Sequence, residues 1–440
     1  MGQIFEPYEP DQAVLFPPSP RDWLPEGHLV YFVSETVEQL ELSTFYAKYE
    51  LREDGRGNCA YEPRLLLKLL IYAYCTGLFS SRKIAAGVED RVPLRYLAAG
   101  HAPSHRTIAR FRQEHLESFR SLFVQVVRIA REAGLVKMGT IAVDGTRVKA
   151  NASKHKAMSY RRMTLEEQRL AQEIKRLTAL AQRTDAAEDG EFGPDFRGDE
   201  LPAELARRET RVATIRMAMA RLQAAQAAED ERTGRGKPRA GGRGRELKRP
   251  NGTPPDNKQS NFTDPESRIM KTSTGGFEQC FNAQVAVDAQ EQIIVAAGVT
   301  PSAADVHELL PMQEQAAANT GEKPKRVLAD AGYKSEANLV ELERRGIDGY
   351  VSLGHREETR EKAVTAGPAT ARMARKLKSE RGRKRFKRRK AVVEPAIGWV
   401  KQVLGFRSFS LRGLGRVTAE WNLVCLALNL RRMNDLMART

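Results

Sequence analysis

Read as apolar and polar positions, the chain changes period several times. After a Pro-rich start, residues 1–60 turn helical in pattern. From Tyr61, the run RLLLKLLIYAYCTGLF predicts a buried helix, with Pro63 suited to its first turn. SSRKIAAGVED, VPLRYLAAG and SHRTIARFRQEH follow as short segments divided by turn signals, and Ser104 is placed to cap the last. This spacing fits a helix-turn-helix bundle with a basic helix, Arg106 to His115. It fits equally a plain helical bundle docked on the next domain. Residues 116–136 continue as an amphipathic helix closed by Gly134, and MGTIAVDGT reads as a strand.

The texture then shifts. Thr164 and Glu167 predict a capping box, and Leu170, Ile174, Leu177 and Ala181 recur at helical spacing. Past a Gly/Asp/Pro-rich break, Leu205, Arg208, Val212, Ile215, Met219 and Leu222 recur at alternating three and four. Two coiled-coil-like helices in an αα-hairpin are expected. Residues 233–255 are rich in Gly, Arg, Lys and Pro and nearly free of apolar residues, so a disordered basic linker is expected. Strand patterns return in SRIMKT, FEQCFNAQVAVDA and QIIVAAGVT, with Gln290 and Glu291 as a turn. A helix from about Ala304 to Ala318, the run KRVLADAGY, a helix from Ser335 to Arg345 and a strand DGYVSLG follow. AVVEPAIGWVKQVLGF and a final apolar helix, Val417 to Met433, close the chain. The order predicts a mixed α/β sheet behind a helical domain, with the hairpin inserted.

Charge adds a partner to this outline. The formal net charge is +16, and ten of the fifteen residues from Lys376 to Lys390 are Lys or Arg. Clustered positive charge favours a polyanion, nucleic acid before an anionic membrane surface. No apolar run reaches membrane-span length, since Leu65 to Phe79 is broken by Lys68. The four cysteines, Cys59, Cys75, Cys280 and Cys425, form no C-x-x-C pair. Their spacing argues against a zinc knuckle or disulfide framework and fits a reducing, cytoplasmic setting.

Three acids stand out by context. Asp144 ends the apolar run IAV, Asp330 ends VLA, and Glu394 follows the densest basic run within an apolar helical segment. Neighbouring strands can bring two carboxylates to one sheet edge, where a helix adds a third. Carboxylates so crowded repel unless a cation lies between them, and Mg²⁺ suits hard oxygen ligands completed by substrate phosphate. Two such ions, roughly 3.5–4 Å apart, would activate an attacking oxygen and stabilise a leaving one in phosphoryl transfer. The bland alternative is that each strand-end Asp caps a turn. Asp288, facing a tight turn, is the main decoy; Asp305 reads as a helix cap and His307 as a lone structural histidine. VDGT echoes the D-x-D-G-T nucleophile loop of haloacid-dehalogenase-type phosphatases, but Ala142 stands where that nucleophile would be.

YEPRLLLKLLIYAYCTGLFSSRKI, AVDGTRVKANASK, NFTDPESRIMKT with FNAQVAVDA, VLADAGYKS, and RKAVVEPAIGWVKQVLGFRSF together resemble the bacterial insertion-sequence DDE transposases. The pattern is nearest to the insertion sequence 1182 group. The resemblance spans about Tyr61 to Met433. It implies an RNase H-like catalytic domain over 137–153 and 256–440, an N-terminal helical DNA-binding domain over 1–136, and an insertion over 154–255. It implies Asp144, Asp330 and Glu394 as catalytic metal ligands for Mg²⁺ or Mn²⁺, two ions in all. In the related signature Y-x2-R-x3-E-x6-K the last position falls on Lys401, which would share a helix face with Glu394. Lys390 replaces the arginine, a point charge in place of a fork. Lys387 replaces the tyrosine, with Phe386 beside it, and Pro395 predicts a helix start or bend at Glu394.

The chemistry so implied is strand cleavage at the element's ends by metal-activated water, then attack of the 3′-OH on target DNA. Expected DNA contacts are Lys401, Lys390, Arg389, Arg388, Lys387, Arg147, Lys149, Arg106 and Arg110. Trp399 reads either as core or as a stacking platform. The expected partners are double-stranded DNA and a second copy of the chain, in a bacterial, nucleoid-associated protein with no membrane contact. The alternatives are a catalytically inactive or domesticated DNA-binding derivative and an RNA-directed protein. The last lacks the aromatic platforms that role needs.

Overall fold

A computed structural model describes residues 19–49, 60–192, 203–233, 249–272, 275–354 and 367–438. The Pro-rich start, the break between the hairpin helices and most of the basic linker lie outside these residues. Among the described residues, after a short 3-10 turn at Pro20–Trp23, seven α-helices come first: α1 (Leu29–Gln39), α2 (Ser43–Tyr46), α3 (Pro63–Cys75), α4 (Ser81–Asp90), α5 (Val92–Ala98), α6 (His105–Glu114) and α7 (Leu116–Glu132). Pro63 opens α3, and the Ser104 hydroxyl accepts the Thr107 N–H at the start of α6. Both positions follow from sequence, because proline lacks only an N–H that a first turn leaves unused and serine supplies a missing acceptor.

The sheet strands are β1 (Ile141–Lys149), β4 (Arg268–Lys271), β5 (Phe277–Asp288), β6 (Ile294–Thr300), β7 (Arg326–Ala329) and β8 (Asp348–Val351). β2 (Ala157–Ser159) and β3 (Gln259–Asn261) pair separately. Their path is β4-β5-β1-β7-β8, with β6 also on β5. β1, β5 and β6 are antiparallel in succession, whereas β7 and β8 run parallel to β1. A central first strand with an antiparallel wing and a parallel wing is the RNase H-like mixed sheet expected from sequence.

β1 does not stop at Asp144. It pairs with β5 along its whole length, Ile141↔Asp288 to Lys149↔Cys280, but with β7 only from Ile141↔Val327 to Val143↔Ala329. Asp144 is therefore mid-strand, at the position where β7 leaves it. Buried pairing to β5 carries the strand onward where the apolar pattern had suggested an end.

α8 (Tyr160–Phe192) and α9 (Ala203–Arg232) form the hairpin, antiparallel through Arg208 with Glu173 and Arg216 with Glu167. The expected capping box is absent. α8 begins four residues earlier, and the Thr164 hydroxyl donates to the Tyr160 carbonyl inside the helix. Leu170, Val212, Ile215 and Leu222 bury between the helices as their spacing predicts.

α10 (Leu309–Thr320) starts five residues later than expected, and α11 is Glu336–Arg344. α12 (Pro368–Lys378) and α13 (Glu380–Gly398) carry the basic run, and wider π-type turns follow at Trp399–Val403. Pro395 neither starts nor breaks α13. It removes the N–H that would bond the Ala391 carbonyl, and the Gln292 side chain donates to that carbonyl instead, at 2.9 Å. α14 (Leu414–Met437) is buried on nearly every side and packs on α3, α7 and β6. A helix apolar all round must lie inside, and here it joins the N-terminal helices to the sheet in one core. Cys75, Cys280 and Cys425 are free and buried.

Candidate active site at the parting of β1 and β7

The apolar runs IAV and VLA pair side by side in the middle of the sheet, and each is followed by an aspartate. Val143 lies opposite Ala329. The next residues, Asp144 and Asp330, leave the paired region together. Each carboxylate also meets the bland expectation in part. Asp330 Oδ1 accepts the Gly332 N–H at 2.8 Å, capping a short 3-10 turn, Ala331–Tyr333. Asp144 Oδ1 accepts its neighbour Gly145's N–H at 2.9 Å. One oxygen of each is thus spent locally, and the other is left for a partner.

For Asp144 that partner is Arg389 of α13, whose Nη1 donates to Oδ2 at 2.8 Å. The pair is well covered, the side chains being 18% and 12% exposed. Burial pushes the Asp144 carboxyl above its ordinary range; the Arg389 charge opposes this, and the neighbouring Asp330 charge adds to it. A covered aspartate with a second acid beside it, and a guanidinium already drawn to it, forms a site that attracts cations.

The chemistry of this donor set fits a hard divalent ion: carboxylate oxygens on rigid strand ends, with a protein cation standing at one of them. Among the described residues no cluster of three or more His, Cys, Asp or Glu side chains is arranged to hold a metal. The two aspartates are brought together; Glu394 is not brought to them. The face of α13 turned inward carries Arg389, Val393 and Ala396, while Glu394 is exposed and its side chain makes no hydrogen bond or ion pair among the described residues. Arg389 precedes Glu394 by five residues, roughly 140° around a helix, so the two cannot point at Asp144 together.

The other expected residues divide by partner. Lys401 donates to the Arg147 carbonyl at 3.0 Å, and burial lowers its pKa. It faces β1 while Glu394 faces solvent, so the expected common face is not formed; the π-type turns after Gly398 change the helical phase between them. Arg147 donates to the Ala303 carbonyl at 2.8 Å, and Lys149 pairs with Glu278 at 3.6 Å. Lys387, Arg388 and Lys390 stand exposed on the outer face of α13, and Arg106 and Arg110 are exposed on α6. Trp399 is half-buried beneath the Arg431 guanidinium, 4.9 Å from its ring centre. Asp288 keeps its turn role, accepting the N–H groups of Gln290 and Met138. His307 is exposed.

Asp305 is the residue that sequence reasoning missed. It is no helix cap, since α10 begins only at Leu309. Its side chain is 12% exposed, and Oδ1 accepts from Asn282 at 2.6 Å and Gln284 at 2.8 Å, both on β5. The usable signal was in FNAQVAVDA: an amide at each of two alternate positions of an otherwise apolar buried strand needs a polar partner on that face.

Two family models match the chain. Residues 246–430 match the model described as Transposase DDE domain, and residues 18–114 match Transposase domain (DUF772). The first match holds Asp305, Asp330 and Glu394; Asp144 falls between the two. No curated protein and no solved structure matches. Among the described residues no helix is long and apolar enough to cross a membrane.

Proposed function

Because the chain belongs to the insertion-sequence DDE transposases, we propose that it binds the terminal inverted repeats of a mobile element, cuts at its ends and joins the freed 3′-OH to target DNA. The observation that carries this reading is the adjacency of Asp144 and Asp330 at the parting of β1 and β7. Mg²⁺ or Mn²⁺, two ions when bound, would stabilise charge on the attacking and leaving oxygens. Asp144 and Asp330 would hold these ions from the rigid sheet, which fixes a ligand better than a loop does.

Glu394 is the third ligand in this reading. Turning α13 by roughly 100°, one residue's worth of helix, would bring Glu394 to the face that Val393 now occupies. The same turn carries Arg389 away from Asp144, free for a DNA phosphate with Lys401, and brings Lys390 round to the place that Arg389 leaves. Lys387, Arg388, Lys390, Arg147 and Lys149 extend the phosphate-binding surface. The division of labour follows the expected boundaries. Residues 1–136 read the ends with Arg106 and Arg110, residues 154–255 assist DNA binding or pairing, and 137–153 with 256–440 perform the chemistry. Two ends must be paired, so the working form is a homodimer on DNA, in the bacterial cytoplasm at the nucleoid.

The test is Mg²⁺- or Mn²⁺-dependent nicking of DNA carrying the element's ends. Asp144→Ala, Asp330→Ala and Glu394→Ala should each abolish nicking and keep end binding, and binding should weaken steeply with salt. Normal cutting by Asp330→Ala removes the triad. Ends bound but never cut by the unaltered protein would indicate a DNA-binding derivative. A flat salt response argues against the basic surface.

A further inference from the structure

A gap beside each aspartate leads to one side chain. Gly145 follows Asp144, and a Cβ there would collide with the Gln284 amide and lie 2.8 Å from Asp305 Oδ1. Gly332 lies two residues beyond Asp330. A Cβ there would lie 3.0 Å from Asp305 Oδ2 and 3.1 Å from Asp330 Oδ1. One carboxylate therefore fills the space left by both glycines, the first on the strand of Asp144 and the second in the turn of Asp330.

Its anchoring runs to both segments. Gln284 lies opposite Gly145, and Asn282 opposite Arg147, in the β1–β5 register. Gln284 gives its amide N–H to Asp305, and its carbonyl accepts from the hydroxyl of Tyr333, which is fully buried and closes the Asp330 turn. Asn338 donates to the carbonyls of Val306 and Tyr333, tying the Asp305 loop to the same turn. On the other side Arg147 Nη2 lies 4.0 Å from Asp305 Oδ2. Successive strand residues point to opposite faces, so the carboxylate that meets Gly145 lies beneath the face opposite Asp144. It is badly placed to share an ion with Asp144 and well placed to fix the backbone that carries it.

We propose that Asp305 is a positioning residue of the cleavage site, locking the Asp144 strand to the Asp330 turn through Gln284 and Tyr333. The inference rests on the reading of Asp144 and Asp330 as metal ligands. Support of this kind for a metal ligand is typically worth about 10–100-fold in metal affinity or activity.

The direct test is Mn²⁺ binding to the full DNA-free chain, followed by the paramagnetic resonance signal of free Mn²⁺, with thermal unfolding measured on the same samples. Asp305→Ala should weaken Mn²⁺ binding about tenfold or more without a matching loss of folded protein. Asp305→Asn keeps an acceptor for both amides and should recover most of the affinity. Gln284→Ala should weaken binding similarly, and the double variant should be little worse than either single, because both act through one network. Unchanged Mn²⁺ affinity in Asp305→Ala overturns the inference, as does a loss that tracks unfolding and is not rescued by Asn. Asp144→Ala separates the two readings. If that variant binds Mn²⁺ as the parent does, the metal-site assignment fails and Asp305 falls with it. If it loses binding while Asp305→Ala does not, only the positioning role is wrong.

Discussion

Asp144 and Glu420 are both carboxylates drawn into the interior beside an arginine, and their surroundings are opposite. Glu420 of α14 is 1% exposed and fully supplied with donors. It accepts the backbone N–H groups of Ser410 and Leu411, the Ser410 hydroxyl, and the Tyr74 hydroxyl at 3.5 Å. Arg112 of α6 in turn donates to Tyr74 at 3.0 Å. That cluster joins α3, α6, α14 and the loop before α14. Asp144 has one arginine, one bond from its own neighbour's N–H, and a second acid beside it. Burial raises the pKa of both, but donors surround only Glu420. A carboxylate kept for architecture has its oxygens filled by the protein. Asp144 instead has an oxygen held only by a guanidinium, a group that an incoming cation could displace.

The largest effects should separate these roles. Asp144→Asn should reduce end cleavage by at least about a thousandfold if it removes a metal ligand, with folding retained. Glu420→Ala should instead destabilise the fold by about 3–5 kcal/mol, the usual cost of breaking a buried charged network from one side. Calorimetric unfolding and nicking assays on both variants check this. Equal damage to folding by the two substitutions would erase the distinction.

Next come the two arginines. A cation binding at Asp144 has to displace the Arg389 guanidinium, and a charged hydrogen bond of this kind contributes about 1.5–3 kcal/mol. Arg389→Gln should therefore tighten Mn²⁺ binding to the DNA-free chain about tenfold while weakening DNA binding. Arg112→Gln should lower the unfolding temperature and leave Mn²⁺ affinity alone. Competition titrations with Mn²⁺ check both, and an Arg389→Gln variant that binds Mn²⁺ no better would mean that the arginine does not obstruct the site.

Legibility differed between these regions for physical reasons. Asp144 and Asp330 were readable because each closes a short apolar run, and a buried strand leaves few alternatives for the residue that follows. The continuation of β1 to Lys149 was hidden, since its pairing with β5 does not depend on its own apolar pattern. Asp305 lies in PSAADVHELL, a mixed stretch with no clear period, and its place appears only when β5 brings Asn282 and Gln284 beneath it. The facing of Glu394 was equally hidden. Pro395 argued for a helix boundary, but Gln292, distant in sequence, supplies the hydrogen bond that proline cannot. Capping chemistry misled at Thr164, because the helix already begins at Tyr160, directly after β2.

The smallest expected effect is a pH dependence, and its sign follows from burial. The Asp144 carboxyl is raised in the folded chain, so the folded state binds its proton more tightly than the unfolded state does. Its contribution to stability is full below the ordinary aspartate range, near about pH 3.9. It is lost as pH rises through the raised folded value. Asp144→Asn removes this ionisation and keeps an acceptor for Arg389. In metal-free buffer without DNA, the variant should match the parent's stability at the acid end and exceed it increasingly toward neutral pH, before levelling off. Chemical denaturation of both proteins across that range measures the difference. A variant less stable than the parent at neutral pH would mean that Arg389 more than offsets burial, so that Asp144, like Glu420, serves the fold as well as the site.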